Sequence, residues 1–532
     1  MNTRARIPRY RALALTVAVA FAAPAFGGKA PESRVGAVPA SADDTTPSDD
    51  AALDPDATLR VDLSIDLTNL DPHKSQYSFD MSMLEPIYDR LFDVDGSGEV
   101  VPMLAEAYEF DEAGTSLVLT LREDVTFHDG AAFDAEAVKA NIERAQTVEG
   151  SAVAPDLDGV TGVEVVDPTH VRLTLAEADA SLIASLASRA GAMISPAAFD
   201  TDLSQTEAGA GPYTMVEYAA GASMTYERYD DYWDPAAAGA ARVEMRVQPD
   251  PTTRLNALRS GQTDVSTAIA SQYDEIEGLD GLVVTASPGT VYNQLLLNRT
   301  RSEFGDIRVR QALYHAIDRQ AICDGVLFGL CDLSVQPLVP GHFGYNPDRP
   351  GDYYTYDPDR ARELLAEAGL DDGFSFELMT PAGLPPYPDI AQVLQAQLAE
   401  VGIDARLSAV DPAQMGERML VNLESDALLG GLPGIGDPSR IYADNFLSDS
   451  FNNPGGNTTE RMEELYVESI STFDPDERAE VIRQAQAELV DEVLVIVIVV
   501  PNSISVTSDQ VVGYDAGSVR GYISIRGVGI AA

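Results

Sequence analysis

The segment from Val101 to Ala145 constrains the fold of this chain more than any other stretch. Leu117, Leu119 and Leu121 recur at every second position, which is the period of a strand with one buried face. Asp134 follows a turn and predicts the N-cap of a helix, because its carboxylate can accept a hydrogen bond from a free backbone N–H group. The segment therefore predicts the order strand, turn, strand, loop and helix, as in a mixed α/β unit.

Strands and helices keep alternating along the rest of the chain. Residues 494–500 are all apolar and predict a buried strand, because the run is too short to span a membrane. The last stretch, residues 511–530, is predicted to be rich in strands. Further strands are predicted at 58–66, 292–298 and 403–410. Further helices are predicted to begin at Asp250 or Thr252, and at Asp306, Asp357, Ile390 and Asp474.

Several motifs, taken in order, resemble those of the family 5 extracellular solute-binding proteins. They are LAE, LR-x-x-V-x-FHDG and a helix ending in ER within the first segment, then GAGPY at 209–213, YDDYW at 229–233 and YDPDRARELLAEAGL at 356–370. The resemblance covers roughly residues 57 to 525. It implies an α/β, two-lobed periplasmic-binding-protein fold of type II, hinged around a ligand cleft, with an extra subdomain in a discontinuous first lobe.

The GAGPY motif contains two glycines but does not predict a phosphate-binding loop. No Lys-Ser or Lys-Thr pair follows it, and the next residues are typical of a strand instead of a helix. We expect these glycines to permit a tight backbone crossing between the lobes.

The N-terminus predicts export. Four arginines precede the apolar run Ala12–Ala22, and Ala23-Pro24-Ala25 fits a cleavage site, so residues 1–25 are typical of a signal peptide. Phe26 stands where bacterial lipoproteins carry a lipidated cysteine, so no lipid anchor is expected and the protein would reside in the periplasm or at the cell surface. The predicted divisions are signal peptide 1–25, disordered tether 26–56, first part of lobe I 57–98, extra subdomain 99–208, second part of lobe I 209–291, lobe II 292–498 and C-terminal return to lobe I 499–532.

The chain is strongly acidic, with 85 Asp and Glu against 35 Lys and Arg and a net charge of −50. Such a charge argues against nucleic acid or an anionic membrane surface as a partner. It favours a solvated surface suited to high salt, as in halophilic proteins, and the alternative is a cleft that attracts cationic ligands.

Cys323 and Cys331 are the two cysteines of the chain. Export would permit a disulfide between them, and this is the pairing we predict. A metal site and free thiols are the competing interpretations. No histidine cluster lies beside the two cysteines in the sequence, so neither a metal nor a cofactor is predicted.

The loop 429–447 is expected to line the cleft, on the basis of the resemblance. In peptide-binding family members this loop has the form W-x-x-D-x-x-D-P, and its first Asp pairs with the ammonium group of the peptide. Alignment on Asp437-Pro438 puts Gly434 at that Asp, which argues against peptides with a free amine and predicts that Gly434→Asp creates affinity for them. A shift of three residues would let Asp437 serve, whereas the alternative is that Asp437 only caps the next helix. The predicted cleft residues are Tyr77, Tyr292, Asn293, Leu432, Gly434, Ile435 and Asp437.

The resemblance implies a monomeric binding protein that delivers a peptide-like or other small solute to an ABC permease in the membrane. No nucleophile elbow, metal motif or Walker loop is present in the sequence, so no enzymatic activity is predicted. The alternatives are a ligand sensor with the same fold and a binder of a non-peptide solute such as an oligosaccharide or a metal chelate.

Overall fold

The computed structural model of the protein describes residues 52–96, 98–340, 342–434, 436–517 and 520–532. The predicted signal peptide, Phe26 and most of the predicted tether lie outside these residues. Three main sheets, of seven, four and six strands, organise the described chain together with two short strand pairs. This mixture of sheets and helices confirms the predicted α/β fold.

The seven-stranded sheet joins the beginning, the middle and the end of the chain. Its inner strand Thr58–Leu63 runs parallel to Arg242–Val247 on one side and to Val265–Thr267 on the other. Leu59 and Val61 are fully buried, as their alternation predicted. We call this sheet with its helices, together with the four-stranded subdomain, the first lobe. The strand order is Leu282–Ser287, Ser503–Ser508, Val265–Thr267, Thr58–Leu63, Arg242–Val247, Ser223–Arg228 and Tyr213–Ala219.

The four-stranded antiparallel sheet lies within the range predicted for the extra subdomain, residues 99–208. Leu117, Leu119 and Leu121 face its core beside the helix Ala135–Thr147. The Asp134 side chain accepts a hydrogen bond from Ala137 N at 3.0 Å, which confirms the predicted cap. The strand order is Ala105–Phe110, Ser116–Leu121, His170–Leu175 and Val160–Asp167.

The six-stranded sheet forms what we call the second lobe. Its strand Val497–Pro501 is buried and pairs with Val291–Leu297, and the next strand, Ser503–Ser508, belongs to the seven-stranded sheet. Cys331 lies in the edge strand and is disulfide-bonded to Cys323. The strand order is Cys331–Asp332, Val497–Pro501, Val291–Leu297, Ala427–Pro433, Phe374–Pro381 and Ile403–Val410.

Four helices begin at the aspartates that were predicted to cap them. Asp250, Asp306, Asp357 and Asp474 each accept a hydrogen bond from a backbone N–H group of the first helical turn. No helix of the described residues is long and apolar enough to cross a membrane. The α-helices are Met81–Leu84, Ala135–Thr147, Leu182–Leu186, Pro251–Arg259, Tyr273–Ile276, Ser302–Gly305, Ile307–Ala316, Arg319–Val326, Pro358–Glu367, Tyr387–Glu400, Pro412–Gly416, Pro438–Asn445, Glu460–Ser471 and Pro475–Asp491.

The C-terminal tail differs from the prediction, because most of it is loop. Only the two-residue strands Val511–Val512 and Gly529–Ile530 pair there among the described residues. Ile523 and Ile525 are buried in the first-lobe core, and Arg526 Nη1 lies 3.4 Å from Asp89 Oδ1. The apolar residues of the tail therefore pack into the first-lobe core instead of pairing as strands of a sheet.

The GAGPY motif crosses another part of the first lobe, and not the second lobe as expected. Gly211 N donates to Ile87 O at 2.7 Å, and Tyr213 N donates to Pro86 O at 2.9 Å. A Cβ on Gly209 would lie 1.9 Å from Ile87 O, so only glycine permits this approach.

Candidate functional site

A cavity of about 2090 Å³ lies between the two lobes, and we call it the cleft. The first lobe lines it with residues from five regions, near Tyr77, near Val94, near Phe110, near Arg189 and near Tyr522. The second lobe lines it with Phe343, the loop around Asp437 and the start of the helix Pro475–Asp491. A solute held there would contact both lobes at once.

Tyr77 projects from the first lobe into the cleft. Its side chain is exposed, and its ring stacks on Phe79 with the centroids 5.1 Å apart. The carboxylate of Asp80 holds the loop in place by accepting hydrogen bonds from Thr68 Oγ1 and from Ser75 Oγ. The loop thus presents an aromatic face to a solute, and Tyr77 remains a predicted cleft residue.

Arg189 lies on the same wall, and no sequence motif predicted it as a cleft residue. Its Nη1 donates to the backbone oxygen of Ser75. Burial lowers its pKa, and Asp156 and Asp80 partly offset this effect. The other cleft arginines each have a carboxylate within 4.0 Å, whereas Arg189 has none among the described residues. Those paired arginines are Arg90, Arg478, Arg483 and Arg520.

Asp437 also lines the cleft, but its carboxylate is already engaged. It begins the helix Pro438–Asn445, where Oδ1 accepts from Ser439 N at 2.9 Å. The same oxygen accepts from Arg478 Nη2 at 2.6 Å. Burial opposes ionisation, but Arg478 outweighs it and lowers the pKa of Asp437. Asp437 is therefore a helix cap paired with an arginine, which leaves little capacity for a ligand ammonium.

Gly434 has no room for a side chain. A Cβ there would lie 2.3 Å from Pro337 O and 3.2 Å from Tyr292 Cδ1. A carboxylate at this position would meet the interior of the second lobe instead of entering the cleft. The expectation that Gly434→Asp creates an amine-binding site does not fit this geometry.

The other predicted cleft residues lie away from the cavity or outside the described residues. Tyr292 and Asn293 are buried in the strand Val291–Leu297 and do not line the cleft. Leu432 packs against the second-lobe core around Tyr292. Ile435 is not among the described residues. Within the described ranges, no group of three or more His, Cys, Asp or Glu residues is arranged to hold a metal ion.

Comparison with known sequences identifies relatives of this architecture. The sequence model for bacterial extracellular solute-binding proteins, family 5 (middle region), matches residues 99–454. The glutathione-binding protein GsiB of Salmonella paratyphi A is 28% identical over 471 residues, covering 85% of this chain and 91% of GsiB.

Solved structures agree with the fold. HbpA2 from Haemophilus parasuis is 25% identical with a TM-score of 0.79, covering 90% of this chain and 100% of HbpA2. The periplasmic binding protein DppA from Helicobacter pylori, in complex with the peptide STSA, is 23% identical with a TM-score of 0.76. That comparison covers 90% of this chain and 98% of DppA.

Proposed function

Because this chain belongs to the bacterial extracellular solute-binding proteins of family 5, we propose that it captures a small solute in the cleft and delivers it to an ABC permease. The observation that carries this proposal is a cleft with walls from both lobes. A solute that contacts both walls favours the arrangement in which the lobes are close together. Binding would therefore be coupled to closure, and no chemical step is required.

The proposed solute is peptide-like and carries a carboxylate. Arg189 supports this choice, because it lies in a partly buried wall with no carboxylate of the described residues within 4.0 Å, and such a guanidinium favours a planar anionic group. Tyr77 offers an apolar face beside it. The engagement of Asp437 with Arg478 argues against recognition of a free amine at that position. Glutathione, which the relative GsiB is named for binding, satisfies the carboxylate requirement.

We test this proposal by titrating reduced glutathione into the purified protein in a calorimeter. The Arg189→Gln variant should bind at least about tenfold more weakly, because a charge-assisted contact is lost. Arg172→Gln is the matched control, since Arg172 pairs with Glu164 on the subdomain surface at 2.7 Å. Mass spectrometry of solute released from gently purified protein identifies any other ligand.

The proposal fails if neither glutathione nor any released carboxylate-bearing solute binds. The proposed role of Arg189 fails if the Arg189→Gln variant binds the solute as tightly as the unaltered protein does. A neutral released solute would instead support the oligosaccharide alternative.

The proposed location is outside the cytoplasm. Residues 1–25 have the composition of a signal peptide, and delivery to an importer requires an exported binding protein. N-terminal sequencing of the secreted protein should begin shortly after Ala25. An N-terminus at Met1 in the exported fraction would contradict this proposal.

A further inference from the structure

Arg440 of the second lobe reaches across to the first lobe beside the cleft. It lies in the helix Pro438–Asn445, which begins at the cleft residue Asp437. Its Nη2 donates to Asp156 O at 2.8 Å and to Ser185 Oγ at 3.2 Å. The same nitrogen lies 3.8 Å from Asp179 Oδ2. One side chain thus contacts three residues of the opposite lobe.

Two further contacts accompany this arginine between the lobes. Ala180 N of the first lobe donates to Ile470 O of the second lobe at 2.7 Å. The rings of Phe110 and Phe473 pack with their centroids 4.5 Å apart. Arg440 is the cationic member of this group, which we call the lobe clasp. The lobe clasp consists of Arg440, Ile470 and Phe473 of the second lobe and Phe110, Asp156, Asp179, Ala180 and Ser185 of the first lobe.

The first-lobe partners of Arg440 are held by their own local structure. Asp179 Oδ1 accepts from Ser181 N at 2.9 Å, which fixes the carboxylate at the start of the helix Leu182–Leu186. The same helix carries Ser185, and Arg189 of the cleft wall lies shortly after it. The lobe clasp therefore contacts the helix Leu182–Leu186, which is followed by Arg189, the proposed contact for the carboxylate of the solute.

We propose that Arg440 is a positioning residue that stabilises the closed arrangement of the lobes and thereby sets the affinity for the solute. Arg440 does not line the cleft, so it acts through closure and not through contact with the solute. Its hydrogen bonds join residues of opposite lobes and exist only when those lobes are together. The effect on affinity rests on the proposed function, whereas the effect on closure does not.

The test compares Arg440→Gln with Arg461→Gln, an exposed arginine of the same lobe that pairs with Glu464 at 3.2 Å. Spin labels on Val166→Cys and Val467→Cys report the distance between the lobes, because both positions are exposed. The described residues contain no free cysteine that would compete for the label. Pulsed dipolar spectroscopy is run without solute and with reduced glutathione.

Arg440→Gln should reduce the ratio of short-distance to long-distance populations about tenfold and weaken glutathione binding by a similar factor, while Arg461→Gln changes neither. Equal distance distributions in Arg440→Gln and the unaltered protein would overturn the inference. The absence of a short-distance population from every sample of the unaltered protein would overturn it too. If glutathione leaves all distributions unchanged but Arg440→Gln still loses the short distance, the inference holds and the choice of glutathione fails.

Discussion

The carboxylate of Asp437 and the guanidinium of Arg478 form a buried ion pair at the edge of the cleft, with 2.6 Å between Oδ1 and Nη2. Arg478 also donates from Nη2 to Ser439 Oγ and from Nε to Ser469 O. These contacts join the starts of two helices, Pro438–Asn445 and Pro475–Asp491. The pair thus gives the second-lobe wall of the cleft a fixed shape.

We expect Arg478→Gln to destabilise the protein strongly. Removing one partner leaves a buried carboxylate without its countercharge, which typically costs about 3–5 kcal/mol. Urea unfolding at neutral pH measures the loss of the free energy of unfolding. Arg461→Gln, which removes an exposed pair, should cost less than about 1 kcal/mol. Equal losses in the two variants would contradict the structural role of the pair.

Gly434→Asp should destabilise the second lobe without creating affinity for free-amine peptides. Its Cβ would collide with Pro337 O, and overpacking of this kind costs about 1–3 kcal/mol before the cost of burying a charge. Thermal unfolding and calorimetry with a free-amine dipeptide measure the two expectations.

Gly325→Ala is the matched control for the glycine substitution. Gly325 lies in the helix Arg319–Val326, and a Cβ there would meet nothing within 4 Å. Alanine should therefore stabilise that helix by about 0.5–1 kcal/mol. A stable Gly434→Asp protein with new affinity for the dipeptide would restore the alignment-based role of Gly434.

The sequence predicted the fold well because its signals were local. Asp134 and Asp474 cap helices through contacts within one helical turn, so the neighbouring residues are enough to predict these caps. The tail was different, because Ile523 and Ile525 are buried by packing against distant first-lobe residues and not by strand pairing. Apolar alternation alone does not distinguish these two kinds of burial.

The cleft was harder to predict because its properties depend on distant pairs. Asp437 loses its capacity for an amine through Arg478, which lies in another helix. Within the described part of the chain, Arg189 is the cleft arginine with no carboxylate within 4.0 Å. Distant residues create this environment, and no sequence motif predicts it. Tyr77 is one of the predicted cleft residues, and it lines the cavity.

His73 should make stability depend on pH between 4 and 6.5. Burial and the positive charge of Arg144 lower the pKa of His73 from 6.5 to about 4. Nδ1 accepts from Arg144 Nη1 at 2.9 Å, and Nε2 donates to Ala192 O at 3.2 Å, so the neutral imidazole is already satisfied. Below pH 6.5 the unfolded chain gains a proton that the folded protein does not take up. The free energy of unfolding should therefore fall by up to roughly 3 kcal/mol as the pH falls through this range.

The His73 prediction is measured by urea unfolding at several pH values. His73→Gln should remove this part of the pH dependence, although the variant starts from a lower stability because a buried contact is lost. His170→Gln is the control, since His170 is a partly exposed residue whose Nδ1 lies 3.0 Å from Asp167 Oδ1. A pH dependence that His73→Gln leaves intact would assign the effect to other groups.

Added salt should raise the melting temperature through the molar range. The net charge of −50 produces repulsion between acidic side chains, and salt shortens the Debye length from about 10 Å at 0.1 M to about 3 Å at 1 M. Calorimetric melting in sodium chloride between those concentrations measures the effect, and an equally concentrated neutral osmolyte controls for solvent exclusion from the protein surface.

The matched variant for the salt prediction replaces Glu149, Asp371 and Asp404 by lysine. All three are exposed, and none forms an ion pair in the part of the chain that the structure describes. The variant relieves repulsion at low salt, so its melting temperature should be higher there and should rise less steeply with salt. If the melting temperature of the unaltered protein did not respond to salt, repulsion between its acidic side chains would not limit its stability, and the high-salt interpretation would fail.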